Sequence, residues 1–248
     1  MNTTNRNKVS VAVIDSGVNP EHPHVGPIEG GCAFRTDNNG NVVMDAGHTD
    51  EIGHGTAVAA LIRGYSPAAR IHAFKIFGDR LSADAALLLK ALEWAISQPI
   101  RIIQLSLGTF LEQHRSMLAD LCNQAWRRNT IVVASARTAE DAVYPAVFGS
   151  VIGVYWDLDC PPDKLIFRPD KPVHFGAHGW PRPIPGMDQR NNFRGGSFAA
   201  AHVAGRIARM LETSPGLSPA QAVQNLIRQA SLSRFPTGSS NAGSNHPP

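Results

Sequence analysis

Hydrophobic residues along this chain fall into two rhythms. Short, nearly unbroken apolar runs cover residues 9–14, 71–77, 100–107, 131–134 and 151–154. The first stops at Asp15-Ser16-Gly17, the second at Gly78-Asp79 and the third at Gly108. Such runs, bounded by turn residues, predict parallel strands buried on both faces. Helical spacing fills the intervals. One helix is predicted from Ser82 to about Ser97, with Leu87, Leu88, Ala91, Leu92 and Ala95 apolar and Pro99 beyond its end. A second spans about residues 111–128, with Met117, Leu118, Leu121, Cys122 and Ala125 on one face. Between Ser197 and Arg206 there is no charge, so that run reads as a helix buried on most of its surface, ending near Met210-Leu211. A last helix begins at Ser218-Pro219-Ala220-Gln221, a capping-box pattern with Pro at the first helical position, and runs to about Ala230. Strand and helix in alternation predict an α/β fold: a mostly parallel sheet with helices on both faces.

Residues 19–50 and 156–196 are rich in Gly and Pro and read as loops with short strands. Composition places the chain among globular proteins: 248 residues, 43% hydrophobic and 17% charged. Residues 1–234 are expected to form one domain, and the polar residues 235–248 a flexible tail. A net charge of +3, with no basic cluster beyond Arg127-Arg128, argues against a nucleic-acid partner. No apolar run reaches transmembrane length, so no membrane partner is expected. Residues 1–8 lack a signal core, and if Met1 is the native start the expected location is cytoplasmic, with no prodomain ahead of the first strand. Cys32, Cys122 and Cys160 are odd in number and widely spaced, which predicts no disulfide framework.

Three positions carry candidate chemistry. Asp15 ends the first strand, where open α/β sheets place their sites, although a lone Asp there is more often a turn residue. His54 stands between Gly53 and Gly55, which clear the space that a proton-transferring imidazole needs. Ser197 follows Gly195-Gly196 at the first turn of its helix, where free N–H groups and the macrodipole favour developing negative charge. Taken singly, Gly-Gly-Ser more often marks a capped core helix. His48, Asp50, Glu51 and His54 lie close together, but not at the spacing of His-Glu-x-x-His, so neither a metal nor a cofactor is expected. A Ser nucleophile needs a base, and the base an orienting carboxylate. The hydrolase elbow Gly-x-Ser-x-Gly would place its Asp after the Ser, and no Asp follows Ser197. The order Asp15, His54, Ser197 remains.

That order, with its local words, resembles the subtilisin-like serine proteases. Val11-Ala12-Val13-Ile14-Asp15-Ser16-Gly17 is similar to their Asp motif, Gly53-His54-Gly55-Thr56-Ala57-Val58-Ala59 to their His motif, and the stretch from Gly195 through Ser197 to Gly205 to their Ser motif. Glu93-Trp94-Ala95, Leu105-Ser106-Leu107-Gly108, Tyr144-Pro145-Ala146 and Val151-Ile152-Gly153-Val154 match in the same order, so the resemblance covers about residues 9–213. It implies a three-layer α/β sandwich and a serine endopeptidase with a peptide or protein substrate. By resemblance, Ser197 attacks the scissile carbonyl, His54 takes its proton and Asp15 holds the imidazole tautomer. An extended substrate would pair with Ser106, Leu107 and Gly108 on one side and with Leu81, Ser82 and Ala83 on the other. Ala134, Ser135 and Ala136 complete the implied substrate-binding set, and the Ser197 N–H is the implied oxyanion donor.

Several positions depart from the family pattern. The oxyanion-hole Asn is missing; by spacing Thr138 takes its place, and Arg137 replaces a Gly. In a subtilisin, removing one such donor costs about 3 kcal/mol, roughly 10²–10³ in rate. The Thr138 hydroxyl or Arg137 is the expected substitute. Ala57 replaces a second His, Gly196 a Thr and Ala201 a Pro. Residues 61–71 are too few for the loop that carries the family's main calcium site, so no calcium is expected there. A compact member of this kind fits restricted processing of peptides or proteins. A non-catalytic peptide-binding relative and a transpeptidase of a biosynthetic pathway are the other readings.

Overall fold

Alternation within the first apolar run sets the layers. In a computed structural model, which describes residues 8–231, Val11 and Val13 pack into one core cluster while Ala12 and Ile14 pack into a second on the opposite side. The strands are β1 (Ser10–Asp15), β2 (Gly30–Thr36), β3 (Val42–Asp45), β4 (Arg70–Lys75), β5 (Ile102–Leu105), β6 (Ile131–Ala136), β7 (Val151–Trp156), β8 (Ile166–Phe167) and β9 (Phe175–Ala177). They form one sheet in the order β3-β2-β4-β1-β5-β6-β7-β9-β8. Pairing is parallel from β2 through β9, and the short outermost strands β3 and β8 are antiparallel to their neighbours. In β5 and β6 the alternation repeats: Ile102, Ile131 and Val133 join the first cluster, and Ile103, Leu105, Val132 and Ala134 the second.

The helices are α1 (His54–Tyr65), α2 (Ala85–Ser97), α3 (Arg115–Arg127), α4 (Gly196–Thr213) and α5 (Pro219–Ser231). α1, α4 and α5 supply the first cluster, and α2 and α3 the second, so helices cover both faces as the sequence rhythm predicts. The helix predicted from Ser82 instead begins at Ala85. Asp84 caps it, accepting from the Ala86 N–H at 2.8 Å, and residues 81–84 are irregular. The predicted run 111–128 opens as a 3₁₀ turn before α3. Four residues, 66–69, join α1 to β4. Cys32, Cys122 and Cys160 are all unpaired and buried, and burial raises the Cys122 thiol to about 12. No helix among the described residues is long and apolar enough to cross a membrane. The tail expected from residue 235 lies outside the described residues.

α4 occupies the centre of its layer. Phe198, Ala199, Ala200, Ala201, Val203 and Ala204 are all wholly buried, and the small size of the alanines suits close packing against α1. At Gly205 a Cβ would stand 2.6 Å from the Tyr65 ring of α1. That ring is held in place. His202, which burial lowers to about 4, bears its proton on Nε2 facing the Trp180 carbonyl at 3.0 Å, so its Nδ1 accepts from the Tyr65 hydroxyl at 2.9 Å. Gly205→Val is therefore expected to destabilise the fold by about 1–3 kcal/mol, read as a lower urea midpoint, whereas Arg209→Ala on the exposed side of α4 shifts it by less than about 0.5 kcal/mol.

Candidate active site

The site forms where β1, β5 and β6 end and α1 and α4 begin. Asp15 is the last residue of β1 and has no solvent exposure. A carboxylate so placed needs a donor on every side. Its Oδ1 accepts from the Ser16 N–H at 2.7 Å and meets His54 Nδ1 at 2.7 Å, while Oδ2 accepts from the Ser106 hydroxyl. His54 opens α1, and Gly53 before it turns the chain with φ of 89°. The imidazole is buried between Phe193 and Phe198, with ring centroids at 5.5 and 5.0 Å. Burial opposes the imidazolium, but the Asp15 charge and hydrogen bond, with a smaller contribution from Asp50, outweigh it and hold His54 above the ordinary histidine value. With the Nδ1 proton directed to Asp15, Nε2 is left as the acceptor.

Ser197 lies in the first turn of α4, where backbone N–H groups have no intrahelical acceptor. Its hydroxyl donates to the Ser106 carbonyl at 3.1 Å and makes no hydrogen bond to His54 among the described residues. Ser106 therefore touches both other groups, through its side chain on Asp15 and its carbonyl on Ser197. Gln104 supports this bridge from β5, donating to Ser106 Oγ at 3.2 Å and to the Ser197 carbonyl at 3.4 Å. Sequence reading missed Gln104, although a lone amide inside the apolar run 100–107 was a visible signal.

Asp50 is a second hub. Oδ1 accepts from the Ser16 hydroxyl at 2.9 Å and from the N–H groups of Ile52 and Gly53 at 3.0 and 2.8 Å. Oδ2 accepts from the Thr56 N–H and hydroxyl at 2.8 and 2.6 Å. The carboxylate thus caps α1, where negative charge is favoured, and ties it to the turn after β1. The residues weighed for zinc point to separate tasks: Asp50 caps, His54 meets Asp15 and Glu51 lies 3.5 Å from Lys75. Among the described residues no group of three or more His, Cys, Asp or Glu side chains is placed to hold a metal.

Beyond β6 the chain folds back on Asp141. The N–H groups of Arg137 and Thr138 donate to Asp141 Oδ2 at 2.9 and 3.2 Å, and the Thr138 hydroxyl donates to Oδ1 at 3.1 Å. The donors of Thr138 are thereby engaged. The exposed Arg137 guanidinium stands 5.7 Å from the centroid of the Phe110 ring, and its Nε lies 3.6 Å from Asp141 Oδ2. At Gly196 a Cβ would collide with the Ala136 carbonyl, which accounts for Gly where the resembling motif has Thr. Ser106, Leu107 and Gly108 continue β5 past its last hydrogen-bonded residue, and Ala134, Ser135 and Ala136 end β6 beside them. Leu81, Ser82 and Ala83 lie in the irregular segment before α2, with Leu81 exposed.

Comparison with known proteins adds the following. Residues 6–156 and 175–246 match the family model of the Subtilase family, Peptidase S8. The minor extracellular protease Epr of Bacillus subtilis (strain 168) is 31% identical over 158 residues, 59% of this chain and 23% of that protein. Subtilisin Savinase of Lederbergia lenta is 28% identical over 244 residues, 91% of this chain and 84% of its own. This chain thus spans about a quarter of the length of Epr, and 59% of the alkaline protease of Shouchella clausii. Among solved structures, a lanthipeptide protease superposes with a TM-score of 0.69 at 21% identity, covering 89% of this chain and 79% of the other. Sphericase superposes with a TM-score of 0.68 at 22% identity, covering 89% and 82%. These two likenesses are of fold.

The charge balance around His54 yields a direct test. By NMR, its imidazole is expected to titrate above 6.5 in the wild type and at a lower pH in Asp15→Asn, where the favourable charge is gone. Because the folded value is raised, the Asp15–His54 contact contributes full stability below the unfolded value and loses it as pH climbs through the folded one. An unchanged titration in Asp15→Asn would show that another group controls the imidazole.

Proposed function

Since this chain belongs to the subtilase family, whose members are serine endopeptidases, we propose that it hydrolyses peptide bonds through an acyl-enzyme on Ser197. The observation that carries this reading is the 2.7 Å contact of His54 Nδ1 with the buried Asp15, joined to Ser197 through Ser106. Rotation of the Ser197 hydroxyl from the Ser106 carbonyl to His54 Nε2 activates it as the substrate arrives. Attack on the scissile carbonyl forms the tetrahedral oxyanion, and the proton passes by way of His54 to the leaving amine. Water then hydrolyses the ester by the same route in reverse. Asp15 holds the tautomer and stabilises the imidazolium. The acyl side of the substrate pairs with Ser106, Leu107 and Gly108, flanked by Leu81, Ser82 and Ala83 and by Ala134, Ser135 and Ala136.

The oxyanion receives the Ser197 N–H at the head of α4 and, as second donor, the Arg137 guanidinium. Thr138 is the weaker candidate, because Asp141 holds both its N–H and its hydroxyl at hydrogen-bond distance, whereas it meets the Arg137 guanidinium at 3.6 Å through Nε, which leaves the two terminal NH₂ groups. A flexible donor on the surface organises a transition state less well than a fixed amide, so turnover is slow. Slow turnover suits restricted processing of a peptide or protein better than bulk digestion. The same engaged Thr138 favours one rival reading, a peptide-binding relative with little catalysis.

A fluorophosphonate probe separates the two: an adduct on Ser197 of the folded wild type supports the peptidase, and no adduct supports the binding protein. Ser197→Ala is expected to lower kcat about 10⁶-fold while the urea midpoint stays close to wild type. Arg137→Ala is expected to lower kcat roughly 10–100-fold and Thr138→Val to leave it within about twofold. Equal kcat for Arg137→Ala and wild type would remove the guanidinium from the oxyanion site.

A further inference from the structure

Along α1, at Gly53, Thr56, Ala57 and Ala60, lies a cavity of about 210 Å³ that the hydrolytic machinery does not use. Its floor is apolar, with Ala57, Ala60 and Phe193 among its residues. Phe193 also packs edgewise on the His54 ring at 5.5 Å, so a single ring links the cavity to the imidazole. Ala57 stands where the resembling His motif carries a second imidazole, and the smaller side chain leaves room.

Arg182, His22, His24 and Asn19 outnumber the single acid, Asp50, around this cavity. Asn19 Oδ1 accepts from the Glu21 N–H at 2.9 Å, which leaves the Asn19 amide NH₂ as a donor. His22 Nδ1 accepts from the His24 N–H at 3.2 Å, which puts the His22 ring proton on Nε2. Arg182 packs its stem against Gly64 and, among the described residues, has no carboxylate partner. Its guanidinium is close enough to His24 to lower that imidazole together with burial and His22. Asp50 is the one acid in the lining, and five hydrogen bonds already fill its oxygens. The Thr56 hydroxyl accepts from the Asn19 N–H and donates to Asp50, and Asn192 Oδ1 accepts from the Phe193 N–H. The side-chain acceptors of Asn19, His22, Asp50 and Asn192 are thus occupied, while the Asn19 amide, His22 Nε2 and the Arg182 guanidinium keep donors. Such a lining fits a ligand made of acceptor oxygens with negative charge.

We propose that this cavity binds a carboxylate carried by the substrate on the leaving-group side of the scissile bond, through Arg182, His22 and Asn19. The inference rests on the peptidase reading. His54 hands its proton to the leaving amine, so the chain beyond that amine passes Phe193 and reaches the cavity, while the acyl part lies against β5 and β6. The carboxylate belongs to an Asp or Glu side chain or to the C-terminus of the leaving segment.

Cleavage of a mixed-sequence peptide library, read by mass spectrometry, tests this. Library members are supplied with free-acid and with amidated C-termini. Asp and Glu are expected over Asn and Gln by about tenfold at one of the first four positions after the cut. Enrichment confined to free-acid peptides with a short leaving segment assigns the carboxylate to the C-terminus instead. Arg182→Gln is expected to remove the preference, and Arg182→Glu to turn it toward Lys and Arg, a reversal that a misfolded protein cannot produce. Equal cleavage of acidic and amide isosteres by the wild type, or a preference unchanged in Arg182→Gln, overturns the proposal. If no peptide is cleaved, the peptidase reading has failed, and the cavity is tested by capture of the same library on the Ser197→Ala protein. Retention of acidic peptides that Arg182→Gln abolishes sustains the carboxylate site; indifferent retention overturns it.

Discussion

Asp15 has no contact with solvent, and an ionised carboxylate in such a place costs several kcal/mol unless its oxygens are filled. The surrounding chain supplies the Ser16 N–H, the His54 imidazole and the Ser106 hydroxyl. Each comes from a different piece of structure: the turn after β1, the first residue of α1 and the first residue past β5. Satisfying one buried charge therefore fixes the ends of three elements relative to one another. Ser197 follows because Ser106, once turned to Asp15, offers its carbonyl to α4.

Asp50 does for the α1 terminus what Asp15 does for the strand ends. Two carboxylates, one 39 residues before His54 and one four residues before it, thus have separate work: Asp15 meets the imidazole and Asp50 anchors the helix that carries it. Because Asp50 uses its oxygens in this anchoring, it presents no unfilled acceptor to the cavity that it helps to line. Arg182, His22 and Asn19 then set the character of that cavity.

The 136–141 segment shows how one change in backbone path propagates. Asp141 draws in the N–H groups of Arg137 and Thr138, the Ala136 carbonyl comes to lie against α4, and only Gly fits at 196. Thr138 and Gly196, two departures from the resembling motifs, thus both border the Ala136 end of β6.

The five central strands β4, β1, β5, β6 and β7, four of the helices and their layering followed from the sequence alone, because a buried parallel strand and a core helix leave strong, distinct apolar periods, whereas the short outer strands lay within the stretches read as loops. The order of Asp15, His54 and Ser197, with their glycine-bounded surroundings, was likewise visible, since catalytic groups at strand and helix ends need particular neighbours. Other features waited for the tertiary structure. The true start of α2 at Ala85 depended on which of several small polar residues supplied the cap, a choice that local pattern does not make. Gln104 was only an odd amide in an apolar run until α4 was folded against it. Thr138 sat at the right spacing for an oxyanion donor, yet its hydroxyl turns to Asp141, three residues on. Spacing along a chain fixes how far apart residues are covalently; which way a hydroxyl or amide points is decided by partners that only the folded chain brings near.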